Sequence, residues 1–99
     1  MSEKIYIDDT PLLLIDAQNP DNDAINLTGL DVSIEVWKPG ALVLVSWAAT
    51  VYSATEIERQ CAEGDFDLAG EYRLQALVID GVKRWLGATV YKTVYQPGT

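Results

Sequence analysis

The sequence predicts an all-β fold, an antiparallel sandwich of about seven short strands. Three observations carry the prediction. Runs rich in β-branched and aromatic residues recur along the chain, turn residues interrupt them every ten positions or so, and the last third reads as a β-hairpin centred on Asp80-Gly81.

Taken in order, Lys4 to Ile7 is a short β-prone run, and after the Asp8-Asp9-Thr10-Pro11 break comes the apolar segment Leu12 to Ile15. Together they suit an edge strand kinked at the proline. Asp16 to Asn26 is dense in Asp and Asn, whose side chains hydrogen-bond their own backbone, so it reads as a loop. Leu30 to Trp37 alternates, with Leu30, Val32, Ile34 and Val36 on one face and Asp31, Ser33, Glu35 and Trp37 on the other.

Pro39-Gly40 reverses the chain, since proline presets its own φ and glycine accepts positive φ. Ala41 to Tyr52 is a long β-branched and aromatic run, bent midway and able to serve two sheets. Thr55 to Ala62 fits either a short helix, with Thr55 and Glu58 as a capping box and Gly64 as its stop, or a strand; the β-rich context favours the strand. Glu71 to Ile79 and Val82 to Tyr95 form the hairpin, with Tyr72, Leu74, Ala76 and Val78 facing the core from one strand and Val82, Leu86, Ala88, Val90 and Val94 from the other.

Composition bounds the rest. Ninety-nine residues with 48% hydrophobic and 22% charged side chains fit one globular domain, residues 1–99, with one core. Fifteen acidic against seven basic residues give a net charge of −8, a field that repels phosphate backbones and anionic lipid, so neither nucleic acid nor membrane is an expected partner. Cys61 is alone, which rules out an intramolecular disulfide framework. Met1 to Asp9 lacks the basic flank and apolar stretch of a secretory leader, and the apolar run from Ala41 to Tyr52 is shorter than the roughly 20 residues of a membrane helix. A soluble chain made in the cytoplasm is the expectation.

Leu68-Ala69-Gly70-Glu71-Tyr72 places a tyrosine at a strand start just after a glycine turn. It resembles the tyrosine corner of immunoglobulin-like sandwiches, in which the phenol ties the strand back to the preceding loop. Asp67 lies one place further from the tyrosine than the acidic residue of antibody domains, and the paired cysteines of those domains are missing.

The order Thr10-Pro11 with an apolar strand, then Ala24-Ile25-Asn26-Leu27-Thr28-Gly29, then an alternating strand ending in Lys38-Pro39-Gly40, then Ala69-Gly70-Glu71-Tyr72-Arg73-Leu74-Gln75-Ala76 spans nearly the whole chain. It resembles the immunoglobulin-like domains of bacteriophage tail and neck proteins, and is most similar to the amino-terminal domain of phage baseplate upper proteins. The resemblance implies a structural module of the virion, made in the host cytoplasm, that docks onto other virion structural proteins or onto copies of itself as a homo-oligomer.

The residues offer no catalytic constellation. Histidine is absent, so neither a Ser-His-Asp nor a Cys-His arrangement is possible, and Cys61 reads as a buried apolar thiol. The glycines are scattered singly at turn-like places rather than gathered in a phosphate-binding loop. Asp16, Asp21 and Asp23 with Asn19 and Asn22 supply oxygens of the kind calcium takes, but without the glycine and glutamate of an EF-hand loop they read as a solvated turn. No cofactor and no enzymatic activity are expected.

Aromatics are the candidate site. Trp37 and Trp85 fall on the face opposite the expected core of their strands, and with Tyr95 they form a candidate protein interface, because tryptophan and tyrosine are enriched in such contacts. Charge is uneven too: eight acidic and one basic residue up to Glu35, four basic and two acidic from Glu71 to Tyr95, a polarity suited to head-to-tail or ring contacts. The expectation is a non-enzymatic virion subunit of tail, neck or baseplate. The alternatives are a small acidic inhibitor or immunity-type protein and a carbohydrate-binding module.

Overall fold

The computed structural model describes residues 4–17, 27, 29–40 and 44–98, with Lys83 described by its backbone alone. Among them lie eight strands and no helix: β1 (Ile5–Tyr6), β2 (Leu12–Asp16), β3 (Asp31–Trp37), β4 (Leu44–Ala48), β5 (Thr50–Val51), β6 (Glu56–Gln60), β7 (Gly70–Asp80) and β8 (Lys83–Tyr95). They form a five-stranded sheet ordered β1-β8-β7-β3-β4 and a three-stranded sheet ordered β2-β6-β5. All pairings are antiparallel except that of β1 with β8. Buried residues of both sheets join one hydrophobic cluster.

The apolar run before Tyr52 does serve both sheets. β4 belongs to the larger and β5 to the smaller, with Ala49 as the single residue between them. Thr55 to Ala62 is a strand at its centre, since β6 pairs on both sides, with β2 and with β5. The expected kinked edge strand at the amino terminus is instead two strands in different sheets. After β1 the chain turns through Asp8, at φ 70°, and enters the smaller sheet as β2.

The alternation of β7 places Tyr72, Leu74, Ala76 and Val78 in the core, each fully buried, as expected. Ile34 and Val36 from β3 and Trp47 from β4 join them on the same face. Phe66 closes the layer, its ring edge-on to Trp47 at 5.3 Å and to Tyr72 at 5.0 Å between centroids. The tyrosine corner expected at Tyr72 is present as a contact. The phenol oxygen accepts the Leu68 N–H at 3.0 Å, and its hydroxyl donates to Asp67 Oδ1 at 3.4 Å.

Two expectations for the β7–β8 hairpin need correction. Asp80 pairs with Lys83, so the turn is Gly81-Val82 rather than Asp80-Gly81. Gly81 has φ 60° while Val82 keeps negative φ, the pattern of a tight turn with glycine at its first central position. Val82 is thereby a fully exposed turn residue and not a core one.

The second correction concerns the core face of β8. Gln75 pairs with Thr89 and Leu77 with Leu86, so Ala76 alone stands opposite both Gly87 and Ala88, which is a β-bulge. The extra residue reverses which side chains face inward. Before the bulge Trp85 and Gly87 are buried, and after it Val94 is. Ala88 is exposed and Leu86 only half-buried, contrary to the unbroken alternation expected from the sequence. Gly87 is required there by contact rather than by φ: a Cβ would lie 2.6 Å from the Asp16 carbonyl oxygen and 3.2 Å from Ala17 Cα. Gln75 latches the bulge, its Nε2 donating to the Gly87 carbonyl at 2.8 Å.

Candidate functional site

Of the three aromatic candidates, the structure separates Trp85 from the others. Trp85 is 9% exposed and belongs to the core cluster, because the bulge turns the first half of β8 inward. It does not present a surface. Trp37 and Tyr95 lie on the outer face of the five-stranded sheet, each half-buried.

The register assembles that outer face into rows. Leu44 stands opposite Trp37, Trp37 opposite Arg73, and Arg73 opposite Tyr91, so one row crosses four strands, β4, β3, β7 and β8. Its two ends are open, with Leu44 44% and Tyr91 58% exposed. At its centre the Arg73 guanidinium lies 4.2 Å from the Trp37 ring centroid, a cation–π contact that fixes both side chains over the sheet.

The flanks are polar and then apolar again. Ser46, Glu35, Gln75 and Thr89 form the next row, and Arg84 reaches Glu35 at 3.6 Å. Beyond it lie Leu77 and Leu86, half-buried, and Ile79, 39% exposed. At the far edge Tyr6 of β1 and Tyr95 of β8 meet with ring centroids 6.2 Å apart, and Lys4 Nζ sits 5.0 Å from the Tyr95 ring. Tryptophan, tyrosine and arginine gathered on one sheet face, with the Arg84–Glu35 ion pair between two apolar rows, are residue types enriched in protein contact surfaces.

Opposite this face, the core margins are closed by charge pairs. Arg59 bonds Asp65 Oδ2 at 2.8 Å, donates to the Ala48 carbonyl at 2.8 Å and lies 5.1 Å from the Trp47 ring, bridging β6 to β4. Lys38 Nζ donates to Asp67 Oδ1 at 2.9 Å, and that hydrogen bond first of all holds the Asp67 carboxyl below its usual range. Burial pushes the Tyr72 phenol up, and burial together with the Asp65 charge pushes the Cys61 thiol up to about 11. A thiol so displaced stays neutral and unreactive.

Among the described residues no group of three or more His, Cys, Asp or Glu is arranged to hold a metal ion. Of the calcium reading, Asn19, Asp21, Asn22 and Asp23 lie outside the described residues, as do Ala24, Ile25, Asn26 and Thr28 of the Ala24 to Gly29 motif. No helix among the described residues is long and apolar enough to cross a membrane.

Arg73, Leu44, Leu77 and Ile79 were not singled out by sequence reasoning. Arg73 and Ile79 stand out of phase with the buried residues of β7, a signal present in the sequence, but which strands lie side by side sets the row, and that is a tertiary fact. In comparisons with known proteins, the chain matches no family model, no curated protein and no solved structure.

Proposed function

We propose that this chain is an immunoglobulin-like β-sandwich serving as a non-enzymatic structural or adaptor subunit of a phage particle, in its tail, neck or baseplate. It works through protein–protein contacts made by the outer face of its five-stranded sheet. The fold part of the reading is supported by strand order. The larger sheet has β1 beside the last strand at one edge and β4 at the other, the smaller holds β2, β6 and β5, and Tyr72 ties back to its preceding loop, an arrangement akin to variable-type immunoglobulin sheets.

The observation that carries the functional part is the row Leu44, Trp37, Arg73 and Tyr91, exposed at both ends and crossing four strands. Tryptophan, tyrosine and arginine in a central patch are the residues that dominate binding energy in protein contacts. Arg73 over the Trp37 ring occupies a face that a sugar would need, which counts against the carbohydrate-binding alternative.

The test is absolute mass by light scattering behind size-exclusion chromatography, for the chain alone over a wide concentration range and mixed with dissociated virion proteins. A discrete multiple of 10.9 kDa, or a defined mixed complex, is expected, and Leu44→Ser with Tyr91→Ser should abolish it while leaving the fold intact. A monomer under every condition overturns the reading.

A further inference from the structure

The four sheet edges differ in length and in cover. β1 and β5 are two residues long, whereas β4 and β2 are five. On β4 the Ala48 carbonyl is capped by the Arg59 guanidinium. On β2 the Gln60 amide caps the Thr10 carbonyl just before the strand, and the outward main-chain groups of Leu12 and Leu14 carry no such cover among the described residues. Its pairing with β6 fixes where its backbone points: the Ala17 N–H donates to the Thr55 carbonyl and the Cys61 N–H to the Pro11 carbonyl. Alternation then turns residues 11, 13, 15 and 17 toward β6, and the amides and carbonyls of Leu12 and Leu14 toward the open side. Pro11 faces β6, so its missing N–H does not block that side.

The side chains along this edge are equally suited to a partner. Leu12 is 55% and Leu14 46% exposed, on the outer face of the three-stranded sheet. Glu58 stands opposite Leu14 on the neighbouring strand, and Glu56 lies two residues before it. No described cation pairs with either glutamate. Lys38 is committed to Asp67, Arg84 to Glu35 and Arg59 to Asp65. An open depression of about 290 Å³ lies between the β4–β5 corner and β6, lined by Ala48, Ala49, Thr50, Glu58, Arg59 and Gln60, and Leu12 of β2 borders it.

We propose that the open edge of β2 takes an extended, lysine- or arginine-bearing segment of a partner protein as an added strand. The segment exchanges main-chain hydrogen bonds with Leu12 and Leu14, which is strand addition. Its basic side chains lay their methylene stems over those two leucines and carry their charge toward Glu58. The occupant is basic because the carboxylates here have no cation of their own. A second copy brings the same carboxylates and a further −8 of charge, and five residues of edge fall short of the roughly 1,000 Å² a stable dimer buries. This edge is separate from the outer face of the five-stranded sheet, so the two contacts stand or fall independently.

The test is amide hydrogen exchange of the full chain with a synthetic octapeptide alternating valine and lysine, against a counterpart alternating valine and glutamate. The Leu12 and Leu14 amides should slow about tenfold with the lysine peptide and not with the glutamate peptide. Glu58→Lys should reverse the preference. Leu14→Pro removes an N–H that β6 does not use, and should abolish the protection while leaving the denaturation midpoint near that of the parent chain. Tyr91→Ser should leave it unchanged. Absence of protection, equal protection by both peptides, or protection that rises with protein concentration without peptide each overturns the proposal.

Discussion

The indole Nε1–H of Trp85 donates to the Ala17 carbonyl oxygen at 3.0 Å, between residues 68 apart in the chain. The bond is buried and joins β8 of the larger sheet to the residue that follows β2 of the smaller. Trp85→Phe keeps most of the apolar volume but leaves that carbonyl without its partner. It should lower stability by about 2 kcal/mol, the usual penalty for a stranded buried acceptor, read as a shift in the denaturation midpoint. An unchanged midpoint would show that the carbonyl finds another donor.

Gly87→Ala tests the close approach on which that bond depends. The new methyl meets backbone at 2.6 Å and 3.2 Å, and backbone does not yield as a flexible side chain does. A loss of about 1 to 3 kcal/mol is expected, measured by chemical denaturation. Gly70→Ala should also be destabilising, for two reasons at once: φ of +128° and a Cβ 2.8 Å from that of Pro39.

Tyr72→Phe removes the oxygen that accepts the Leu68 N–H and leaves the buried ring in place. The expected loss is about 1 kcal/mol. Faster amide exchange should be confined to Leu68 and its neighbours, which exchange measured by NMR would resolve.

Alkaline pH should destabilise the fold. Cys61 rises from 9.0 to about 11 on folding, and burial also raises Tyr72, so the folded chain holds both protons more tightly than the unfolded one. For raised groups of this kind the stabilisation is complete below the unfolded values and fades as pH climbs through the folded ones. Denaturation midpoints should therefore be flat near neutrality and fall from about pH 9 to pH 11. Cys61→Ala should remove part of that slope. At pH 8 a thiol reagent should label the native chain only as fast as it opens, since Cys61 is 2% exposed.

The β7 face was legible from a single period of two, the division of the run before Tyr52 from its length and β-rich composition, and the strand at Thr55, where a helix also fits, from its β-rich context. The bulge was not. Trp85, Leu86, Ala88 and Val90 put apolar groups on both phases of β8, so pattern alone could not locate the switch, and Gly87 was its sole local mark. Of the candidate interface, Trp37 was legible as out of phase with Ile34 and Val36. Its stacking under Arg73 depends on a pairing across 36 positions that no local signal specifies.

The extra residue in β8 acts as a reading-frame shift for side chains. Upstream of it the strand delivers an indole inward, and downstream it delivers Val94 inward and the phenols of Tyr91 and Tyr95 outward. Deleting Ala88 would restore an uninterrupted frame from Lys83 to Tyr95, and a single frame can satisfy only one end. Either Trp85 or Val94 would be expelled from the interior, and in the second case the aromatic surface would be lost with it. The thirteen residues of β8 thus hold core and surface in opposite frames at the expense of a single inserted position.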